Sequence, residues 1–167
     1  MRTDSVVSTI QNEGIILEKL SYQFANWNRG QAENKMTQLI NRYGTDIELV
    51  ISNNDEMALG AAAAYDALGY PQESRPVILG IDGLDSALEA VKKGYIQGTV
   101  YNDKEGQASR ISGLALNLFR GEVLPDSDFE NGRYIFLPYH KVTADNVDEF
   151  LKLSLIHISE PTRRSYI

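Results

Sequence analysis

The chain has 167 residues, enough for one domain with a real core, and its 43% apolar and 23% charged content is that of an ordinary globular protein. A net charge of −7 gives no basic surface and argues against nucleic acid as a partner. The absence of cysteine removes disulfides and a thiol nucleophile; no apolar run is long enough for a membrane span, and residues 1–20 do not read as a signal peptide.

Residues 3–13 (TDSVVSTIQNE) place Val6, Val7 and Ile10 at helical spacing, and Gly14 suits the helix end. IILEKLSYQF (15–24) alternates as a strand does. Asn26 to Arg42 predicts a helix with Ala32, Met36, Leu39 and Ile40 on its buried side. IELVIS (47–52) predicts a strand, and residues 55–68 a helix closed by Gly69. PVILGID (76–82) is the near-continuous apolar run of a strand covered on both faces. A short helix from Asp85 to Lys93, ended by Gly94, leads to a strand YIQGTVYN (95–102) and a helix from Asp103 to Arg120. After a polar loop (121–132), RYIFLPY (133–139) reads as a strand and ADNVDEFLK (144–152) as a last short helix.

This βαβαβαβα rhythm predicts an α/β fold with a parallel sheet and helices on both faces. A doubly wound unit begins with a central strand, whereas this chain begins with a helix, so the first strand is expected to be missing. Leu153 to Arg163 (LSLIHISEPTR) matches the in-frame translation of a sequencing-library adapter, and 153–167 is set aside as a non-native tail. Setting it aside removes Glu160, Arg163, Arg164 and His157, which leaves 14 basic and 22 acidic residues, a net −8, and His140 as the one native histidine.

The templates for covalent, zinc and phosphate chemistry are empty: there is no GxSxG, HExxH, GxGxxG or GxxxxGK[ST]. Asn or Asp recurs at three strand ends: Asn53, Asn54 and Asp55, then Asp82, then Asn102 and Asp103. In an open α/β sheet, ligands bind beyond the carboxyl ends of the strands. A carboxamide there offers donors and an acceptor together, which suits hydroxyl groups. Each of these residues is equally an ordinary helix N-cap. Trp27, the single tryptophan, also falls at a βα junction, where its indole could form the apolar platform of a neutral sugar site or be a half-buried core residue.

The segments FANWNRGQAENKM, VISNNDEMALGAAAAYDALG and PVILGIDGLDSALEAVKKGYIQGTVYNDKEGQA resemble the C-terminal half of the periplasmic galactose/glucose-binding proteins, sugar receptors of ABC transporters. The likeness runs from Arg2 to about Phe150. It implies the periplasmic-binding-protein-like I fold and no enzymatic activity: a three-layer C-terminal lobe at 1–102, a helix and strand returning to the N-lobe at 103–137, and a hinge crossing with the last C-lobe helix at 138–152. It also implies D-galactose or D-glucose held between two lobes, with Arg2, Trp27, Asn54, Asp82 and Asn102 as sugar contacts. Glu48 corresponds to a calcium ligand of the intact proteins, although a solvent-facing strand glutamate is the plainer reading. Calcium requires six or more oxygens, and the loop that would supply the others is not in this sequence, so no tight site is expected here.

The resemblance further implies a membrane ABC permease as partner, in some cases a chemoreceptor, and a periplasmic or extracellular location, with or without a lipid anchor. The competing class is the ligand-binding domain of a lac-repressor-type regulator, which shares the two-lobe fold. Loss of a central strand leaves two sheet edges unpaired. On that account the chain alone is expected to be at best marginally folded and to bind sugar weakly.

Overall fold

The computed structural model describes residues 2–122 and 129–159, with side chains described as far as residue 153. The element that positions the rest is a strand feeding a helix. β1 (Leu49–Ile51) ends at Ser52, and α3 (Asp55–Ala67) starts three residues later with Asn54 as its N-cap, the side-chain oxygen accepting from the Met57 amide. β1 pairs in parallel with β2 (Val77–Leu79), with Leu49 opposite Val77 and Ile51 opposite Leu79. The parallel pairing extends to β3 (Thr99–Asn102) through a bridge between Leu79 and Gly98 and hydrogen bonds from Gly80 N to Gly98 O and Asp82 N to Val100 O. β3 and β4 (Tyr139–Val142) form a second two-stranded sheet.

The helices follow the apolar spacing of the sequence. α2 (Arg29–Tyr43) buries Ala32, Met36 and Ile40, and α4 (Asp85–Lys92) buries Ala87, Leu88, Ala90 and Val91. α2 packs on α3 closely enough that a Cβ on Gly60 would lie 2.3 Å from the Arg29 carbonyl oxygen. α3 also packs on β1, β2 and α4, and α4 on α6 (Val147–Ser159), whose Val147 and Phe150 are buried. α1 (Arg2–Asn12) buries no residue fully and is followed by Gly14 at φ +83°, the left-handed position expected there.

Two units divide the chain, Met1–Val100 with Lys141–Ile167, and Tyr101–His140. The second contains α5 (Lys104–Arg120), capped by Asp103 and ended by Gly121, and a cavity of about 340 Å³ lined by Asn102, Arg110, Leu114, Phe136 and Tyr139 among others.

Three expectations are corrected. Residues 15–24 form no strand: β1 pairs with β2 alone among the described residues, so the segment lacks a ladder, and Ile15, Ile16 and Phe24 are exposed. The strand expected over 133–139 is displaced to Tyr139–Val142, because Pro138 has no amide to donate and Tyr134 is drawn into a bridge with Glu130. The last helix begins at Val147, not 144, because Asn146 folds back to accept from Thr143 N and donate to Lys141 O; it runs on to Ser159, into the stretch set aside as a tail. Part of the 121–132 loop (123–128) and residues 160–167 lie outside the described residues.

Candidate functional site

At the carboxyl end of β1 the chain must turn into α3, and three residue types share that corner. Asn54 is buried, and its oxygen is committed to the cap. Its amide nitrogen is therefore the group that can donate to a ligand, and capping and ligand binding are compatible in one side chain. Asn53 turns the other way, its carboxamide paired with the Thr3 hydroxyl of α1 at 2.9–3.1 Å. Its carbonyl accepts from Arg2 Nη1 at 2.7 Å. The same Arg2 nitrogen stands 3.7 Å from the Asp82 carboxylate, with both side chains partly exposed.

Asp82 follows β2 in an unusual conformation, φ +126°, with Gly83 beside it at φ +74°. It caps no helix: α4 starts after Leu84 and has no side-chain cap. Partial burial pushes the Asp82 carboxyl above the ordinary carboxylate range; Arg2 opposes that shift and the nearby Asp55 charge adds to it.

Trp27 is 59% exposed and sits at φ +58°, directly before Asn28, the N-cap of α2. Its place is set by the next residue but one. Arg29 makes a two-pronged ion pair with Glu56 in the first turn of α3, at 2.9 and 3.1 Å, and reaches Ser86 at the start of α4. The N-terminal ends of α2, α3 and α4 are thereby tied together on the side where Asn54 and Asp82 lie.

The structure thus joins Arg2 to Asp82 and to the Asn53 carbonyl, one residue before Asn54, at neighbouring strand ends, with Trp27 exposed at the start of α2. Asn102 belongs to the second unit, where its oxygen accepts from Gln107 Nε2 and Asp103, not Asn102, is the helix cap. Glu48 is exposed at the opposite end of β1. Among the described residues no three His, Cys, Asp or Glu side chains gather as metal ligands, and one carboxylate does not fit the six or more oxygens calcium takes. Reading the sequence did not single out Asn53 through its main-chain carbonyl, nor the Arg29–Glu56 pair. The signal for the pair was weak, since both read as solvated helix charges.

The chemistry available is a part-exposed carboxylate, a guanidinium, an amide donor and an indole face, which suits uncharged, many-hydroxyl ligands. Comparisons with known proteins agree with the fold. The D-galactose/methyl-galactoside binding periplasmic protein MglB of Haemophilus influenzae is 36% identical over 155 residues, 91% of this chain and 46% of that protein. The xylitol-binding protein of Mycolicibacterium smegmatis is 34% identical over 132 residues, 79% of this chain and 35% of that protein. Among solved structures, an ABC transporter solute binding protein from Bacillus halodurans with bound myo-inositol is 33% identical, covering 91% of this chain and 49% of that one, with a TM-score of 0.77. The chain spans less than half the length of these relatives. With residues 1–122 matching the periplasmic binding protein domain as well, this chain belongs to that family.

Proposed function

We propose that this chain is part of the sugar-binding component of an ABC transporter, a binding protein and not an enzyme, which captures a monosaccharide reversibly between two lobes and presents it to a membrane permease. The observation that carries the reading is the Arg2 guanidinium set between the Asp82 carboxylate and the carbonyl of Asn53, the residue before Asn54, at the carboxyl ends of β1 and β2. A carboxylate held by a guanidinium can accept from two neighbouring hydroxyls while the arginine and the amide donate to others. Trp27 supplies the apolar platform. The preferred ligand is D-galactose or D-glucose. Support comes from the galactose-binding relative; the xylitol-binding and myo-inositol-bound relatives share only the polyol character. The location assigned is periplasmic or extracellular.

Isothermal titration of the full-length protein carrying this sequence against galactose, glucose, xylitol, myo-inositol and ribose tests the reading. Saturable heat with a hexose is expected. Heat with ribose but with neither hexose would remove the hexose assignment, and no heat with any polyol would remove the function.

A further inference from the structure

Asp55 has no part in the ligand contacts proposed above, yet it is the most completely enclosed charge-bearing side chain among the described residues of the first unit, with 0% of its surface exposed. Both of its oxygens are in use. Oδ2 accepts from the Leu84 amide at 2.8 Å, and Oδ1 accepts from the Thr99 hydroxyl at 2.6 Å. Gly80 leaves room for it: a Cβ there would lie 2.2 Å from Oδ1. One carboxylate on α3 therefore grips the β2–α4 turn and β3 at the same time.

The turn it grips is the one that presents Asp82. Leu84 heads α4 without a side-chain cap of its own, so the Asp55 oxygen takes the place a cap would fill. Asp82 at φ +126° and Gly83 at φ +74° precede it, and a non-glycine residue in such a conformation is strained and persists only when its surroundings over-determine it. Here the surroundings include Asp82 N to Val100 O at 2.9 Å on one side and the Leu84 and Gly83 amides to Asp55 on the other. A buried carboxylate is costly unless hydrogen bonded, and bonds to it are stronger than neutral ones.

We propose that Asp55 is a positioning residue of the site: its carboxylate, locked by Thr99, holds the Asp82–Gly83–Leu84 turn in the one conformation that aims Asp82 at the ligand. This rests on the proposed polyol site but is testable apart from it, because the tie to Leu84 joins two groups of this chain and is read by amide exchange.

The experiment uses the full-length protein, with titration against whichever of galactose, glucose, xylitol or myo-inositol the wild type binds, and amide hydrogen exchange at Leu84 without ligand. Asp55→Ala is expected to weaken binding about tenfold or more and to speed Leu84 exchange, while Asp55→Asn, which can still accept from Leu84 and donate to Thr99, stays within about threefold. Phe150→Ala is the control: it removes buried surface on α6, outside the Asp55–Leu84 and Asp55–Thr99 ties, and should lower the melting temperature with affinity and Leu84 exchange kept. If Asp55→Ala does not fold, Thr99→Val carries the test, with about tenfold weaker binding expected and Thr99→Ser restoring it. Wild-type affinity in Asp55→Ala, or in Thr99→Val where Asp55→Ala fails to fold, would overturn the proposal, as would an equal loss of affinity in Phe150→Ala. Should the wild type bind none of these ligands, the proposed function falls, and Leu84 exchange still decides whether Asp55 holds the turn: unchanged exchange in Asp55→Ala, or in Thr99→Val, rejects it.

Discussion

Asp82 carries two opposed influences in one side chain. Burial and the Asp55 charge favour its neutral form, and Arg2 favours the charged one, with the balance above the ordinary value of 3.8. Binding to hydroxyls uses the charged form, so affinity should fall on acidification starting above the pH at which a solvated aspartate protonates. Asp82→Asn should weaken binding near neutral pH by about tenfold or more and flatten the acid limb; titration calorimetry across pH checks both, and an unchanged acid limb in the variant would show that another group sets it. The sign for stability is the reverse. A carboxyl whose value is raised in the folded state binds protons there more readily than when unfolded, so the contributions of Asp55 and Asp82 are greatest at low pH. They decline as pH rises from the ordinary value through the raised one. Tyr65 supplies a separate check. Its hydroxyl is buried with no hydrogen-bond partner among the described residues, and burial pushes its pKa up to about 12, so it stays protonated throughout. Tyr65→Phe is expected to melt at the same temperature or higher, because it removes a desolvated polar atom; a marked drop in a thermal melt would reveal a partner for the hydroxyl.

At the level of elements, the contact between α2 and α3 determines where Trp27 stands. Gly60 lets the two backbones approach, and the Arg29–Glu56 pair fixes their N-terminal ends. Gly60→Ala places a methyl group 2.3 Å from the Arg29 carbonyl oxygen and 2.9 Å from the Ala32 Cβ, a clash with backbone that only a shift of α2 can relieve. Overpacking of this kind costs about 1–3 kcal/mol. A lower melting temperature together with weaker polyol binding is expected, since the shift displaces the tryptophan. Weaker binding should be absent if Trp27 plays no part in the site, and differential scanning fluorimetry beside titration separates the two effects. The α4–α6 contact is different in kind: the exposed Lys92–Asp148 pair at 2.8 Å raises the lysine and lowers the aspartate through their hydrogen bond, but solvent and salt screen it. Buried Val147 and Phe150 hold that helix.

The whole molecule is uneven in how much apolar surface it covers. α3 buries seven of its residues, whereas α5 buries none and leaves Ile111, Leu118 and Phe119 exposed. Local opening free energy follows buried apolar contact, so the second unit should open first. Limited proteolysis of the 167-residue chain is therefore expected to cut within residues 101–140 before it cuts α3, as mass spectrometry of the early fragments would show. Early cleavage inside α3 with α5 intact would contradict this. The same exposed surface bears on the expectation that the chain alone is marginally folded, which a cooperative melt well above room temperature would refute.

What the sequence determined by itself is what local chemistry determines. Apolar spacing placed α2, α3, α4 and α5 to within a few residues; glycine at left-handed positions ended α1, α3 and α4; and Asn or Asp at strand ends marked both the helix caps and the candidate contacts. Asp55 also lay within reach, because it shares the i, i+3, i+7 stripe of α3 with the buried Ala58 and Ala62. Only the tertiary structure decided which oxygen of Asp55 is spent on the Leu84 amide and which on the Thr99 hydroxyl, that Asp82 caps nothing, and that residues 15–24 and 133–138 form no strand. The physical reason is that a strand is a property of two segments: alternation permits it, but a neighbouring backbone with free amides and carbonyls creates it. A cap needs one turn of chain, which sequence contains, while a ladder or a carboxylate gripping two distant segments needs partners brought together by the fold.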